Sequence, residues 1–172
     1  ILCIILAPIF GSMWVKLAHK KMDPPVTLKM AVGMIITGAA FFVILGGYNS
    51  LGGVLDESVK MDLWIMLLAY TILTIGELLV SPVGMALFSK LTPERFSSLG
   101  MSGWYLCYFF SGLASGALVA VTGSWGYGKI LWILGGSLVL AGLFMFVLMP
   151  FLEKLIAMDK LGKEAEVLEE AN

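Results

Sequence analysis

The chain has 172 residues, of which 59% are hydrophobic and only 13% are charged, with a formal net charge of -1. In soluble domains roughly a quarter of the residues are charged. This composition therefore excludes a soluble globular protein and indicates the lipid bilayer as solvent. A nearly neutral chain with one arginine lacks the basic surplus that nucleic-acid binding needs, and its two cysteines and single histidine lack the spacing of a metal site or a disulfide scaffold.

Five apolar segments reach or approach the roughly 20 residues that a helix needs to span the hydrocarbon core of a bilayer. Short polar or glycine-rich loops join them, and a charged tail follows over residues 153–172. The sequence therefore predicts an all-α membrane protein with five transmembrane helices. The apolar beginning of the chain is interpreted as the middle of a larger protein. In chain order, the predicted helices cover residues 1–17, 28–48, 63–89, 99–122 and 130–152.

The positively charged residues predict how these helices are oriented. Nine of the eleven lie in the first, third and last polar segments, and only Lys60 and Lys129 lie in the alternate loops. Because segments rich in Lys and Arg stay in the cytoplasm, we expect an integral multi-pass protein of the cell membrane with a cytoplasmic C-terminus. The nine are Lys16, Lys20, Lys21, Lys29, Lys90, Arg95, Lys154, Lys160 and Lys163.

Glu77 is the one charged residue between Asp62 and Lys90, and it stands near the middle of the third predicted helix. An acidic residue at that depth costs about 2.5 to 3.5 kcal/mol on insertion scales. The cost is tolerable if the carboxyl group faces a partner, a cavity or a proton path, or if it is protonated. A buried pair that only holds the bundle together is the structural alternative.

Polar and small residues share the face of the third helix that carries Glu77. Their spacing of three and four residues follows the helical period. Pro82 lacks a backbone N–H, so a kink there is expected to expose backbone acceptors beside Glu77, with a kink that only serves packing as the alternative. For Ser81 the alternative is a hydrogen bond to its own helix backbone. The stripe consists of Tyr70, Thr74, Glu77, Ser81 and Gly84.

The fourth predicted helix carries a second stripe at helical spacing. Trp104 in this stripe is ambiguous by itself, with an interfacial aromatic anchor as the structural alternative. Gly112 and Gly116 form a G-x-x-x-G pattern, which predicts close packing of this helix. The stripe consists of Gly100, Trp104, Tyr108, Ser111 and Ser115.

These two helices resemble the tenth and eleventh helices of the proton-dependent oligopeptide transporters, the POT family of the major facilitator superfamily. The resemblance rests on the run from Gly76 to Gly84, on Leu91-Thr92-Pro93 and on Met101-Ser102-Gly103-Trp104. Residues 1–16 resemble the eighth helix of the family. The resemblance implies that the five segments are helices eight to twelve, part of the C-terminal six-helix bundle of a twelve-helix carrier.

The resemblance also implies a function, which is symport of di- and tripeptides with protons by alternating access. Protons are then the coupling ion, no cofactor or metal is expected, and membrane lipids and the N-terminal helices of the same transporter are the other partners. Glu77 would bind the amino terminus of the peptide, while Ser81 and Trp104 would line the site. Pro82, Gly84 and Gly100 would be flexible points of a cytoplasmic gate. The family's proton-coupling residues belong to helices that this sequence does not include.

Two other functions stay open. One is a major facilitator carrier for another small solute, such as an amino acid, nitrate or a drug, although a glutamate at the bilayer midplane argues against a simple anion. The other is a non-transporting membrane scaffold, which would not require a charge at that depth. An enzyme is not expected, because no nucleophile, base and orienting group come together in the sequence.

Overall fold

A computed structural model of the chain describes residues 2–19, 24–53, 61–92 and 96–170. The regular elements of the described residues are all helices, which confirms the predicted all-α fold class. The last helix continues beyond residue 152, where its membrane span is predicted to end. The helices are α1 Leu2–His19, α2 Val26–Ser50, α3 Leu63–Leu91, α4 Ser97–Trp125 and α5 Tyr127–Glu170.

Four of the helices are long and apolar enough to cross a membrane, whereas the sequence predicts five spans. The apolar part of α1, Leu2–Leu17, is shorter than the other four. Apart from the turns that contain Pro82 and Pro150, the backbone N–H and C=O groups inside such helices bond within the segment, which is why helices suit the bilayer. The four spans are Val26–Ser50, Leu63–Ala86, Ser98–Trp125 and Tyr127–Lys154.

Helix α2 lies at the centre of the packing and contacts α3 on one side and α5 on the other. At its contact with α3, a Cβ atom added to Gly76 would lie 2.9 Å from the carbonyl oxygen of Gly33. At its contact with α5, a Cβ atom added to Gly38 would lie 3.0 Å from the carbonyl oxygen of Gly135. Glycines therefore let the backbones of these helices approach closely, as small residues generally do in membranes.

Helix α4 is packed more loosely. Within its apolar span, no side chain is buried against the described residues. Gly112 and Gly116 make no close contact with the described helices, because a Cβ atom at either position would have no described atom within 4 Å, so the predicted close packing at these glycines stays a prediction. The two glycines are rotated about 80 to 120° around the helix from Trp104, which lies on the side that meets α3.

Some residues used in the sequence predictions lie outside the described residues. Among them are four of the basic residues on which the orientation depends, together with the proline of the Leu-Thr-Pro motif. They are Lys20, Lys21, Lys60, Pro93 and Arg95. The side chains of Lys90, Lys160 and Lys163 also lie outside the described part of the molecule.

Candidate substrate site on helices α3 and α4

Helix α3 holds Glu77 at its middle. The helix has 29 residues from Leu63 to Leu91, so about 21 Å of helix extends on each side of Glu77 at a rise of 1.5 Å per residue. The side chain of Glu77 is exposed. Its carboxylate is therefore not buried in a pair with the helices that the structure describes, and it is open to a ligand or to a further helix.

The polar stripe of α3 is divided by the packing of neighbouring helices. Tyr70 is 65% exposed, whereas Thr74 is only 2% exposed. The Thr74 hydroxyl donates to the carbonyl oxygen of Tyr70 at 2.8 Å, which satisfies it within its own helix. Ser81 is half-buried and Gly84 is buried. The five residues share one helix face, but they do not form one continuous accessible surface.

Ser81 connects α3 to α4. Its Oγ lies 3.3 Å from the Oη of Tyr108, and either hydroxyl can donate. Ser81 thus contacts a neighbouring helix, which goes beyond the alternative of a hydrogen bond to its own helix backbone. Tyr108 stands in the second stripe, one turn after Trp104, but the sequence did not single it out as a site residue. Its position on that stripe was the available signal, and its partner on α3 was not predictable.

Trp104 packs directly on the backbone of α3 at Gly84. A Cβ atom added to Gly84 would lie 2.2 Å from the Cη2 atom of the indole ring. The ring also meets Tyr108 edge-on, with centroids 5.8 Å apart and planes at 70°. The indole is half-buried and lies between two helices. Its predicted role in substrate contact stays a prediction.

Gly100 makes a second close contact, between α4 and the residue that directly follows α3. A Cβ atom added there would lie 2.1 Å from the Oγ1 atom of Thr92. Gly84 and Gly100 both lie inside helices, and so does Pro82, which does not end α3. In the structure the two glycines permit close approach of α3 and α4. Their predicted role as flexible points of a gate stays a prediction.

The contacts between α3 and α4 define an antiparallel register that places Glu77 relative to α4. Gly84 meets Trp104, and Ser81 meets Tyr108 one turn further along α3 toward Glu77. One more turn along both helices brings Glu77 to the level of Ser111. Ser111 lines an open cleft of about 400 Å³ together with Met34, Val80, Trp104, Cys107 and Tyr108.

The chemistry of this region suits a ligand that carries both an ammonium group and apolar parts. A carboxylate attracts an ammonium more strongly in a region of low dielectric constant than in water. The faces of aromatic rings attract cations and also bury apolar groups. Glu77 provides the carboxylate, Ser81 and Tyr108 provide hydroxyl groups, and Trp104 provides the ring.

The chain is similar to known transporters in sequence. A curated relative named peptide transporter YePEPT, from Yersinia enterocolitica, is 31% identical over 115 residues, which are 67% of this chain and 22% of the relative. A di-/tripeptide transporter from Lactococcus lactis subsp. cremoris is 34% identical over 105 residues, 60% of this chain and 20% of the relative. The chain thus spans about a fifth of the length of these relatives.

A structural superposition and a family model agree with these sequence similarities. The crystal structure of a peptide transporter of the POT type in complex with sulfate superposes with a TM-score of 0.77 at 32% identity, over 90% of this chain and 30% of that one. The POT family (PTR2) model matches residues 1–133. With four helices able to span a membrane, the molecule is a multi-pass membrane protein. The chain therefore belongs to the POT family.

Proposed function

We propose that the chain is the C-terminal portion of a proton-coupled symporter for di- and tripeptides, working by alternating access. Family membership and relatives named as peptide transporters support the substrate class. The observation that carries the proposal is the exposed carboxylate of Glu77 midway along α3, on the face where Ser81 meets Tyr108. Because the chain spans about a fifth of its relatives, other helices supply the rest of the carrier.

In this proposal Glu77 binds the amino terminus of the peptide. An ammonium group that pairs with a carboxylate at the middle of the membrane replaces the water that the carboxylate loses there. A ligand without an amine leaves this carboxylate without a cation, so the site discriminates against it. This pairing is the step that favours peptides over nitrate and other simple anions.

Ser81 and Trp104 complete the part of the site that this chain contributes. The hydroxyl of Ser81, shared with Tyr108, offers a hydrogen bond to the peptide backbone. The indole of Trp104 offers an apolar wall that is held in place by Gly84 and Tyr108. Ser81 and Trp104 can contact either the peptide or their neighbours in the protein, which is consistent with a site that must also release its ligand.

The proposed gate is the pair of helices α3 and α4. Pro82 removes one backbone hydrogen bond within α3, which lowers the cost of bending there. Gly84 and Gly100 let the two helices stay in close contact while they move. The coupling ion is the proton, no cofactor takes part, and the groups that couple proton movement to transport belong to helices outside this chain.

The proposed location is the cell membrane, with the C-terminus in the cytoplasm and lipids around the helices. This orientation follows from the distribution of lysine and arginine along the sequence. The N-terminal helices of the same transporter are the proposed protein partner. Together with them, α3 and α4 would enclose the peptide.

The test is proton-driven dipeptide uptake by the full-length transporter in liposomes with an imposed pH gradient. A hydrogen bond to a charged group contributes about 1.5 to 3 kcal/mol, so Glu77→Gln is expected to lower kcat/KM roughly 10- to 150-fold. Glu77→Asp keeps the charge, so its kcat/KM is expected to fall less than that of Glu77→Gln. The matched control is Asp62→Asn, which removes an exposed carboxylate just before the same helix.

A dipeptide with an acetylated amino terminus separates the competing functions. The unmodified protein is expected to reject it, and Glu77→Gln is expected to lose that preference. Uptake that is equal in Glu77→Gln and in the unmodified protein would contradict the role of Glu77. Uptake of another solute but not of peptides would favour the other carrier function, and no uptake of any solute would favour a scaffold.

A further inference from the structure

A second open groove lies between the end of α2 and the beginning of α5. It has a volume of about 490 Å³ and is separate from the face of α3 that carries Glu77. One basic and one amide side chain stand among otherwise apolar residues. The groove is lined by Leu45, Asn49, Gly128, Lys129, Trp132 and Ile133.

Contacts between α2 and α5 hold the walls of this groove in place. A Cβ atom added to Gly128 would lie 3.1 Å from Cε1 of Tyr48, so the tyrosine ring lies over the glycine. The hydroxyl of Tyr48 donates to the carbonyl oxygen of Gly53, which fastens the turn after α2. Trp132 meets Phe42 edge-on, with ring centroids 5.5 Å apart and planes at 84°. The groove is thus built by two helices rather than by one exposed side chain.

The groove lies where two membrane spans end. Asn49 stands at the end of the span Val26–Ser50, and Lys129 stands at the beginning of the span Tyr127–Lys154. The ends of transmembrane helices lie at the level of lipid headgroups. Lys129 is also the one charged residue in the sequence between Arg95 and Glu153. A cation and an amide donor therefore line the same groove at the level of the lipid headgroups.

The apolar part of the groove continues toward the membrane interior. Trp132 is 62% exposed and Ile133 is 49% exposed, each three or four residues further along α5 than Lys129. Polar groups at one end and apolar groups at the other match the two parts of a phospholipid. The positive charge of Lys129 complements an anionic headgroup.

We propose that this groove is a binding site for an anionic phospholipid. The phosphate accepts hydrogen bonds from the ammonium of Lys129 and from the side-chain amide of Asn49. An acyl chain lies along Trp132 and Ile133. The site is independent of the proposed transport function, since none of its residues belongs to the substrate site on α3 and α4.

The test is native mass spectrometry of the purified full-length transporter with added phosphatidylglycerol or phosphatidylcholine. An exposed ion pair contributes up to about 1 kcal/mol, so Lys129→Gln is expected to weaken phosphatidylglycerol binding by up to roughly fivefold. Lys129→Arg should retain binding, and Asn49→Leu should weaken it. The matched control is Lys154→Gln, which removes a lysine from the other end of the same span and should bind like the unmodified protein.

Thermal unfolding gives a second measurement. Phosphatidylglycerol should raise the Tm of the unmodified protein and of Lys154→Gln more than that of Lys129→Gln. Three results would overturn the proposal. The first is an equal loss of phosphatidylglycerol binding in Lys129→Gln and Lys154→Gln. The second is equal phosphatidylglycerol binding by the unmodified protein and Lys129→Gln, and the third is that no lipid is retained at all. Coverage of the groove by another helix of the same transporter would give the second result.

Discussion

Replacing Gly84 with alanine tests the contact that joins α3 to α4. The new Cβ atom would lie 2.2 Å from Cη2 of Trp104, 2.8 Å from Cζ3 and 3.1 Å from Cζ2. Carbon atoms prefer separations of about 3.5 to 4.0 Å, so the indole must retreat by roughly 1.3 Å or more. All three atoms belong to the outer ring of the indole, so the tryptophan moves before the backbone does.

Two opposing effects decide the size of the change in stability. Alanine gains up to about 1 kcal/mol over glycine in a helix interior, while overpacking costs about 1 to 3 kcal/mol. The loose packing of α4 lets the indole move, so we expect a loss of stability at the lower end of that range. Transport should also suffer, because the displaced indole no longer presents the same apolar wall to the peptide, although the loss should be smaller than for removal of the ring.

The assay is dipeptide uptake by the full-length transporter in liposomes, with KM and kcat measured separately. We expect Gly84→Ala to lower kcat/KM by up to roughly fivefold, mainly through KM, which is less than the effect of removing the whole ring in Trp104→Ala. The control is Gly123→Ala in α4, where an added Cβ atom meets nothing within 4 Å. Trp104→Phe combined with Gly84→Ala removes the outer ring, so the two changes should be clearly non-additive.

Two outcomes would contradict the role given to the contact between Gly84 and Trp104. If Gly84→Ala and Gly123→Ala show the same KM and the same Tm, the indole does not lie against Gly84 as described. If Gly84→Ala lowers the Tm without changing KM, the contact exists, but Trp104 does not touch the substrate.

Two further changes probe the packing and the site. Gly76→Ala brings a Cβ atom to 2.9 Å from the backbone oxygen of Gly33 and 2.9 Å from the backbone nitrogen of Thr37, which cannot rotate away. It should destabilise the protein by about 1 to 3 kcal/mol, seen as a lower Tm than for Gly46→Ala, whose Cβ atom has open space. An unchanged Tm would contradict the close contact of α2 and α3. Trp104→Ala should raise KM for dipeptides roughly tenfold, since a hot-spot aromatic typically contributes more than about 1 kcal/mol. An unchanged KM with lower stability would instead support an anchoring role for Trp104.

Much of the fold is readable from the sequence because the bilayer constrains it strongly. Backbone groups in lipid must be satisfied within each segment, so long apolar runs become helices. The predicted segments beginning at residues 28, 63, 99 and 130 lie within α2 to α5. The depth of Glu77 follows from its place between Asp62 and Lys90, since the rise per residue of a helix is constant.

The candidate site is only partly readable from the sequence. The 3.6-residue period correctly places Thr74, Glu77 and Ser81 on one face of α3. It does not say which neighbour covers that face, and Thr74 is buried while Glu77 is exposed. The pairing of Ser81 with Tyr108 depends on the register of two helices that are 27 residues apart at this contact.

The sequence by itself determined the solvent of this protein, its helices and the single charge at the middle of α3. Tertiary structure alone decided that α2 is the central helix, with close contacts at its glycines Gly33 and Gly38, and that no described residue lies against the G-x-x-x-G of α4. The physical reason is that a local pattern reports the face and depth of a residue within its own helix. Which face meets which neighbour depends on the shapes of both helices, and in lipid no difference in hydrophobicity selects it.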